Sequence, residues 1–271
     1  MLTTEMRNPK STHIDQMDTL SQVRLMNEEN MNAVRAVEEA LPQIASACDA
    51  MSVAIAKGGH VYYVGAGTSG RLGVIDAAEC PPTFGVPHEQ FVGIIAGGYE
   101  ALYRAGEGNE DDPVAAVTEL KGYRLCEKDV VVGISAAGGA AFVTNAVDYA
   151  NDLGCVTIGV TSNADSALAA KSRYPIVTDT GAEVVTGSTR LKAGTAQKLV
   201  LNMLSTVSMI QNGYVYENMM INLRPSNVKL KGRVVRIVRE ITGLDEEKAT
   251  DLLDRADWNI KKAIEISKTG E

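Results

Sequence analysis

A repeated order of short apolar runs, small-residue turns and helical patterns constrains the fold of this chain most strongly. The runs at 60–64, 130–134 and 155–160 are almost wholly apolar, and a weaker run follows at 174–177. The first three end in turns of glycine, alanine, serine, threonine or asparagine. Continuous apolar strands that alternate with helices are typical of a parallel sheet covered on both faces. The sequence therefore predicts an α/β fold, a doubly wound parallel sheet sandwich with ligands at the carboxyl ends of its strands.

Helical patterns are predicted on either side of these strands. Residues 1–30 are polar and irregular, and a helical pattern then runs to the glycine pair at 58–59, interrupted by Pro42. Another helix follows the first small-residue turn. We expect it to stop near Cys80, because the prolines at 81–82 disfavour helix in the residue before them.

The chain changes character at residue 229, where a charged and all-helical tail begins. Asp245 is placed to cap one helix, and apolar residues recur at helical spacing in the region after it. We predict two domains: residues 1–228, holding the sheet and an N-terminal helical extension, and residues 229–271, a small three-helix bundle. The bundle faintly resembles a ubiquitin-associated module, and we interpret it as a packing and oligomerisation appendage.

Composition and charge argue against several classes of function. The net charge of −8 disfavours a nucleic-acid surface or a polybasic membrane face. The four cysteines are scattered without a CxxC pair, which is typical of free thiols in a reducing cytosol. The three histidines lack metal-ligand spacing, and neither a secretory signal nor an apolar span is visible. We therefore expect a cytoplasmic protein without a metal, which contacts neither membrane nor nucleic acid.

The turn at 65–70, Gly-Ala-Gly-Thr-Ser-Gly, has the chemistry of an anion site. Glycines let the backbone approach a ligand, and the start of the following helix supplies N–H donors. The turn matches neither a P-loop nor a dinucleotide fingerprint, and a tight turn without a ligand stays open as the alternative. The residues that we expect to bind substrate here and in two further glycine-flanked turns are Gly67, Thr68, Ser69, Gly70, Ser135 and Ser188.

Several longer motifs run from near the N-terminus to residue 206. They are RNP at 7–9, MDTLSQVRLMNEEN at 17–30, GAGTSGRLGVIDAAECPPTFGVPHE at 65–89, VGIIAGG at 92–98, EGNEDD at 107–112 and TGSTRLKAGTAQKLVLNMLST at 186–206. Together they resemble the N-acetylmuramic acid 6-phosphate etherases, a family with the sugar isomerase (SIS) fold. The resemblance implies a cofactor-free lyase that cleaves the D-lactyl ether of a phosphorylated cell-wall sugar. It also implies a homodimer with sites near the interface.

By the same resemblance, Glu79 protonates the departing lactyl oxygen and Glu110 removes the C2 proton. Glu79 stands among small and apolar residues before the proline pair, where partial burial would raise the pKa of its carboxyl. A solvated glutamate at a helix end is the alternative. Glu110 lies in an acidic turn before a predicted helix, where capping is the alternative role. Asp111 or Asp112 can do that capping instead.

The turn after the second predicted strand departs from the etherase pattern. Etherases usually carry a Ser-Gly-Arg-Thr-Pro run there, whereas this chain reads Ser-Ala-Ala-Gly-Gly-Ala-Ala-Phe at 135–142. The serine, arginine and threonine positions are occupied by Ala137, Gly139 and Ala140. Ser135 keeps one hydroxyl, and glycine N–H groups at a helix start still suit an anion. A weaker etherase, a shifted phosphate site and adaptation to another ligand all remain open.

Three further polar residues and two further functions are left open by the sequence. Arg71 and Lys192 are anion-binding candidates, with a plain surface charge as the alternative for each, and His88 is expected at a surface or an interface. The glucokinase regulatory protein, a relative with the same architecture, binds sugar phosphates without catalysis, so a non-catalytic sensor is the first alternative function. A sugar-phosphate isomerase is the second, although we find no base constellation for it.

Overall fold

Five parallel strands form the central sheet. They are β1 (Val61–Gly65), β2 (Phe91–Ile95), β3 (Val130–Ile134), β4 (Val156–Thr161) and β5 (Tyr174–Val177), in the order β2-β1-β3-β4-β5. Gly65 pairs with both Ile95 and Ile134, and Ile134 pairs with Val160. The carboxyl ends of these four strands therefore meet at one edge of the sheet.

The computed structural model describes residues 2–106, 108–222, 225 and 228–269, with the backbone alone at 228–229. The helices are α1 (Thr19–Glu39), α2 (Leu41–Ala56), α3 (Gly67–Phe84), α4 (Ala115–Tyr123), α5 (Ala141–Asp152), α6 (Ala167–Lys171), α7 (Lys192–Gln211), α8 (Val228–Thr242), α9 (Glu246–Arg255) and α10 (Ile260–Thr269). Two short strands, β6 (Val215–Tyr216) and β7 (Met219–Met220), pair antiparallel. The chain divides into two compact units, residues 1–78 with 89–208, and residues 79–88 with 209–271.

Helices cover both faces of the sheet, as predicted. On one face, Tyr62 and Val64 belong to an apolar core that includes buried residues of α4 and α5. On the opposite face, Tyr63 lies against α3, where a Cβ on Gly73 would come within 2.9 Å of the tyrosine Cβ. Adjacent residues of a strand point to opposite faces, so a strand that is apolar throughout needs a helix layer on each side.

The strand β2 was not predicted from the sequence, and its central glycine shows why. A Cβ on Gly93 would lie 2.6 Å from the Cα of Val74, so α3 passes too close to this strand for any side chain. Glycine weakens the local strand signal, and only the packing of α3 explains its presence. The other four strands lie where the sequence predicts them, within one residue at each end.

The N-terminal region is more helical than predicted. Asp18 caps α1 by accepting the Ser21 amide at 3.1 Å, so the helix begins at Thr19 and residues 19–30 are not irregular. Leu20 and Val23 are exposed and the neighbouring Leu25 and Met26 are only half-buried, so this part of α1 carries no buried apolar face whose spacing would predict a helix. The predicted interruption at Pro42 is confirmed, because α1 ends at Glu39 and Pro42 stands in the first turn of α2.

The prediction that the third helix stops near Cys80 is wrong. The helix α3 continues through both prolines to Phe84, and its last turn is closed by the Gly85 amide, which donates to the Pro81 carbonyl at 2.8 Å. The Asn222 side chain donates to the Phe84 carbonyl at 2.8 Å. The backbone of Asn222 also packs against Gly85, where a Cβ would lie 1.9 Å from the Asn222 carbonyl oxygen. These tertiary contacts outweigh the local steric preference of a residue before proline for a non-helical conformation.

The predicted three-helix bundle is confirmed in α8, α9 and α10. Asp245 caps α9 by accepting the Lys248 amide at 2.9 Å, as expected. Apolar residues of all three helices form one buried core, which includes residues that recur at helical spacing after Asp245. The buried members are Val234, Ile237, Val238, Ala249, Leu252, Leu253, Ala256, Ile260, Ala263 and Ile264. Across the described ranges, no helix is long and apolar enough to cross a membrane.

Candidate active site

The turn after β1 is built by close backbone contact between two glycines. A Cβ on Gly70 would lie 2.5 Å from the Gly65 carbonyl oxygen, so both positions are restricted to glycine. Gly67 has a φ of 53°, opens α3 and is exposed. The turn therefore presents the N-terminus of an 18-residue helix at the carboxyl edge of the sheet, where N–H groups without helical partners face outward.

The two hydroxyls of this turn have different surroundings. Ser69 is buried, and its Oγ donates to Oε1 of Gln197 at 3.0 Å. Thr68 is half-buried, and its methyl group lies close to Gly194. Gln197 was not singled out from the sequence. In the structure its Nε2 is buried and finds no hydrogen-bond partner among the described residues. Its position in the first turns of α7 was the only available signal.

The turn after β3 is held in place by internal hydrogen bonds. The Ser135 Oγ accepts the Gly138 amide at 3.1 Å. The Ala136 carbonyl accepts the Asn163 side-chain amide at 2.9 Å. Gly138 has a φ of 72°, and a Cβ there would lie 2.4 Å from the Ser166 hydroxyl, so only glycine fits. The helix α5 follows from Ala140, which has no side-chain group to cap it.

Glu110 stands on a short turn in the loop after β2. That turn, Asn109–Asp111, is held by the Asn109 side chain, whose Nδ2 would lie 2.3 Å from a Cβ placed on Gly97 or on Gly106. The Glu110 side chain is exposed, and no hydrogen bond between described residues involves its carboxyl. Capping falls to Asp112, which accepts the Val114 amide at 2.8 Å, as one of the two expected candidates.

Glu79 lies within α3, not at its end. Its side chain is exposed, while the nearby Ala77 and Cys80 are buried. The expected burial of this carboxyl is therefore wrong for the single chain, because the helical period turns those two residues inward and Glu79 outward. His88 begins a short turn and is exposed, as expected.

Lys192 is a buried structural charge and not an anion-binding side chain. It is only 1% exposed, and its Nζ donates to Glu29 at 2.7 Å and to the Ala182 carbonyl at 2.7 Å. Glu29 also accepts hydrogen bonds from Asn8 and Lys10. Burial alone would raise the pKa of Glu29, but the bonds from these partners lower it to about 2.

Further buried polar contacts hold the start of α7 and the loop that carries Ser188. Both oxygens of Glu183 accept amides of the first turn of α7, at 3.1 Å from Lys192 and 3.0 Å from Ala193. The half-buried Ser188 donates its own amide to the Val185 carbonyl at 2.9 Å. A carboxylate at a helix N-terminus is favourable, so this turn is stabilised by the protein's own anion.

Arg71 and Asp76 place α3 against its neighbours. The Arg71 Nε donates to the Leu102 carbonyl at 3.0 Å, in the loop after β2. The Asp76 carboxyl accepts the Tyr63 hydroxyl at 2.8 Å and the Asn202 amide at 2.6 Å. Burial raises the pKa of Asp76, although these hydrogen bonds oppose the rise. Asp76 was missed from the sequence, where a charge directly after the apolar residues of the run GVIDAAE was the only signal.

No group of three or more His, Cys, Asp or Glu side chains suited to a metal ion occurs in the described part of the chain. The polar groups described at the sheet edge are hydroxyls, carboxylates, side-chain amides and backbone amides. They are suited to hydrogen bonding and to proton transfer.

The fold and its strand-end turns define a sugar isomerase domain. Residues 43–151 match the family described as the glucokinase regulatory protein N-terminal SIS domain, residues 121–207 match the SIS domain, and residues 238–265 match a UBA-like domain. A putative sugar-phosphate isomerase of Listeria monocytogenes has a TM-score of 0.54 at 18% identity, over 73% of this chain and 94% of its own. A phosphoheptose isomerase of Neisseria gonorrhoeae has a TM-score of 0.53 at 17% identity, over 70% and 98%.

Two curated relatives narrow this class to one family. The N-acetylmuramic acid 6-phosphate etherase of Pasteurella multocida is 50% identical over 263 residues, which cover 97% of this chain and 87% of the relative. That of Salmonella agona is 46% identical over 269 residues, covering 99% and 91%. The chain belongs to the N-acetylmuramic acid 6-phosphate etherase family.

Proposed function

We propose that this protein cleaves the D-lactyl ether of N-acetylmuramic acid 6-phosphate, giving N-acetylglucosamine 6-phosphate and D-lactate. The observation that carries the proposal is 46–50% identity to etherases over nearly the whole chain, with both candidate glutamates present. The reaction is a cofactor-free elimination followed by hydration, and it serves the recycling of cell-wall sugars in the cytoplasm.

Glu110 is the proposed base for the C2 proton, which is acidified by the open-chain aldehyde. Removal of that proton expels the lactyl oxygen from C3, and water then adds at C3. A base needs a carboxylate without a competing structural role. Glu110 meets this condition, because Asp112 caps the following residues and the Asn109 contact holds the turn itself.

Glu79 is the proposed acid that protonates the departing lactyl oxygen. An acid at neutral pH needs a carboxyl whose pKa is raised by loss of solvent. The Glu79 side chain is exposed in the single chain. We therefore propose that a second copy of the chain, or the substrate itself, excludes water from this carboxyl.

The partner would be a second copy in a homodimer with sites near its interface. One side of α1 supports this pairing, because Leu20, Val23, Met31 and Val34 are 48–55% exposed and recur at helical spacing. Light scattering should give a dimer for the parent chain and a monomer for Val23→Glu with Val34→Glu. A parent monomer at micromolar concentration would contradict the pairing.

Substrate contacts are proposed at Gly67–Gly70, Ser135 and Ser188, chiefly through backbone N–H groups. The proposal is tested by incubating the purified protein with N-acetylmuramic acid 6-phosphate and measuring D-lactate. Release of lactate with stoichiometric N-acetylglucosamine 6-phosphate supports the etherase. Tight binding of the substrate without lactate would favour the non-catalytic sensor, for which the small-residue turn at 135–142 is the specific observation.

A further inference from the structure

Four hydroxyls at the carboxyl edge of the sheet are proposed to contact the substrate, and they differ in how their hydrogens are held. The Ser69 Oγ donates its hydrogen to Oε1 of Gln197 at 3.0 Å. The Ser135 Oγ accepts a backbone amide, a bond that leaves its own hydrogen for another acceptor. Among the described residues, no hydrogen bond involves the hydroxyl of Thr68 or of Ser188. In the described part of the chain, Ser69 is therefore the member of this set whose hydrogen already has a protein acceptor.

Gln197 carries a buried donor without a partner. Its side chain is 1% exposed, and its Nε2 finds no hydrogen-bond partner in the described ranges of the chain. A buried donor without a partner is costly, and such a group in a native protein calls for an explanation. Gln197 is too deeply buried to touch a ligand, whereas Ser69 is 8% exposed in the first turn of α3. Any effect of Gln197 on a ligand must therefore pass through Ser69.

The backbone on the N-terminal side of Gln197 is held in place. The Glu183 carboxylate accepts the first two amides of α7. The Gly194 amide donates to the Thr189 carbonyl at 2.9 Å, and a Cβ on Gly194 would lie 3.4 Å from the Thr68 methyl group. The start of α7 is thereby packed against the start of α3. Rotation about the terminal bond of the Gln197 side chain remains, because that torsion is roughly two-fold and exchanges oxygen for nitrogen in the same space.

The two orientations of this carboxamide give Ser69 opposite hydrogen-bonding roles. With Oε1 toward Ser69, the hydroxyl hydrogen points inward, so only oxygen lone pairs face a ligand. That arrangement accepts a hydrogen bond from a sugar hydroxyl and repels an anion. With Nε2 toward Ser69, the nitrogen donates across the same 3.0 Å, which suits an N–H···O bond. The Ser69 hydrogen is then released to an anionic oxygen, in a charge-assisted bond about twice as strong as a neutral one.

We propose that Gln197 is a positioning residue whose carboxamide turns over when an anionic oxygen of the substrate binds at the start of α3, so that Ser69 changes from acceptor to donor. In the turned state Nε2 donates to Ser69, and Oε1 takes the position without a partner. A buried carbonyl oxygen without a partner is better tolerated than a buried N–H. The hydroxyls of Thr68 and Ser188 need no such change. This inference rests on the proposed etherase activity, whose substrate carries two suitable anions, a phosphate and a lactyl carboxylate.

A double-mutant cycle on kcat/KM for D-lactate release tests whether Gln197 acts through Ser69. Gln197→Leu should lower kcat/KM by roughly 10-fold, because a hydrogen bond to a charged group is lost. When Ser69→Ala is already present, the same change should matter by less than about 2-fold. An equal loss in both backgrounds would mean that Gln197 is only structural, and it overturns the inference.

The matched control is Asn202→Leu on the same helix. It also removes a carboxamide of α7 that binds a side chain of α3, because Asn202 Nδ2 donates to Asp76 at 2.6 Å. Its effect on kcat/KM should be the same with and without Ser69→Ala, within about 2-fold. If Gln197→Leu does not fold by circular dichroism, Gln197→Met takes its place in the cycle.

NMR of the Gln197 side-chain amide tests the turnover itself. Its signal is identified by its absence from the folded Gln197 variant. We expect it to move downfield when the bound ligand carries the relevant anion, and to stay in place in Ser69→Ala. N-Acetylglucosamine 6-phosphate offers the phosphate alone and N-acetylmuramic acid the carboxylate alone, so the ligand that moves the signal identifies the anion. No movement with either ligand, once the backbone amides of Gly67 and Gly70 show saturation, overturns the inference.

Failure of the etherase proposal would give a different result. If the parent protein releases no lactate from N-acetylmuramic acid 6-phosphate, the proposed function is wrong. The same cycle is then measured as Kd values for that sugar by calorimetry. A loss of affinity in Gln197→Leu that disappears in the Ser69→Ala background supports the positioning role, and an equal loss in both backgrounds overturns it.

Discussion

Two pairs of charged residues lie in stretches of sequence that resemble the etherase motifs. One pair is Lys192 with Glu29, and the other is Glu79 with Glu110. Lys192 and Glu29 are both at most 2% exposed and bind one another, whereas both candidate catalytic side chains are exposed. The Lys192–Glu29 pair stabilises the fold, whereas the carboxylates of Glu79 and Glu110 are accessible to a substrate. A motif match alone therefore does not separate residues that build a site from residues that react in it. Burial and hydrogen-bond partners do.

The largest expected effect is loss of activity in Glu110→Gln. Removing a general base lowers the rate by about 10²–10⁴-fold, and exchange of the C2 proton with solvent deuterium should fall with it. The thermal midpoint should stay at the parental value, because the carboxyl makes no hydrogen bond to another described residue. The control is Asp111→Asn on the same exposed turn. Parental C2 exchange in Glu110→Gln would show that the base is another residue.

Glu79→Gln should reduce lactate release to a similar extent but leave C2 exchange in place. The variant lacks the proton donor for the lactyl oxygen, yet it keeps the base, and a carbon acid can lose its proton reversibly while its leaving group stays. Following exchange by NMR and lactate by a coupled assay separates the two steps. Glu89→Gln, another exposed glutamate, is the control. Simultaneous loss of exchange and lactate would contradict the division of roles.

Lys192→Met should lower the free energy of unfolding and should have no direct effect on the catalytic step. It leaves Glu29 buried without its closest cation, and breaking a buried pair in this way costs about 3–5 kcal/mol. Urea unfolding of the variant and of Lys198→Met, an exposed lysine on the same helix, gives the comparison. A parental free energy of unfolding in Lys192→Met would mean that Lys192 is not needed for the fold.

The smallest expected effect is an acid-dependent loss of stability from Glu29. Its pKa is lowered to about 2 by bonds from Lys10, Lys192 and Asn8, so the folded protein holds the carboxylate more strongly than the unfolded chain does. The stabilisation is complete above the unfolded pKa, near 4.5. It is lost as the pH falls toward 2, and it amounts to about 3 kcal/mol.

Unfolding free energies measured between pH 6 and pH 3 test this directly. Glu29→Gln should be less stable at pH 6 and should lose less stability on acidification than the parent. Glu28→Gln, at the exposed neighbouring position, should follow the parent curve. Parallel curves for the parent and Glu29→Gln would contradict the shifted pKa.

Local patterns were sufficient for much of the fold. The strands β1, β3, β4 and β5 are apolar runs bounded by turn residues, and Asp245 caps its helix through a contact within three residues. Such features depend on residues that are close together along the chain, so the sequence alone predicts them. The glycine requirement at Gly65 and Gly70 is local in the same sense.

Long-range packing decided the rest. The helix α3 passes its two prolines because Asn222 holds the far end. The strand β2 contains a glycine because α3 crosses it. Lys192 and Ser69 resemble ligand donors in the sequence, but partners 163 and 128 residues away engage them. The sequence by itself determined four of the five strands of the central sheet, the turns that follow them and the family, because those depend on spacing along the chain. Only the tertiary structure decided which polar side chains stay available, because the partners that engage them are distant in sequence and close in space.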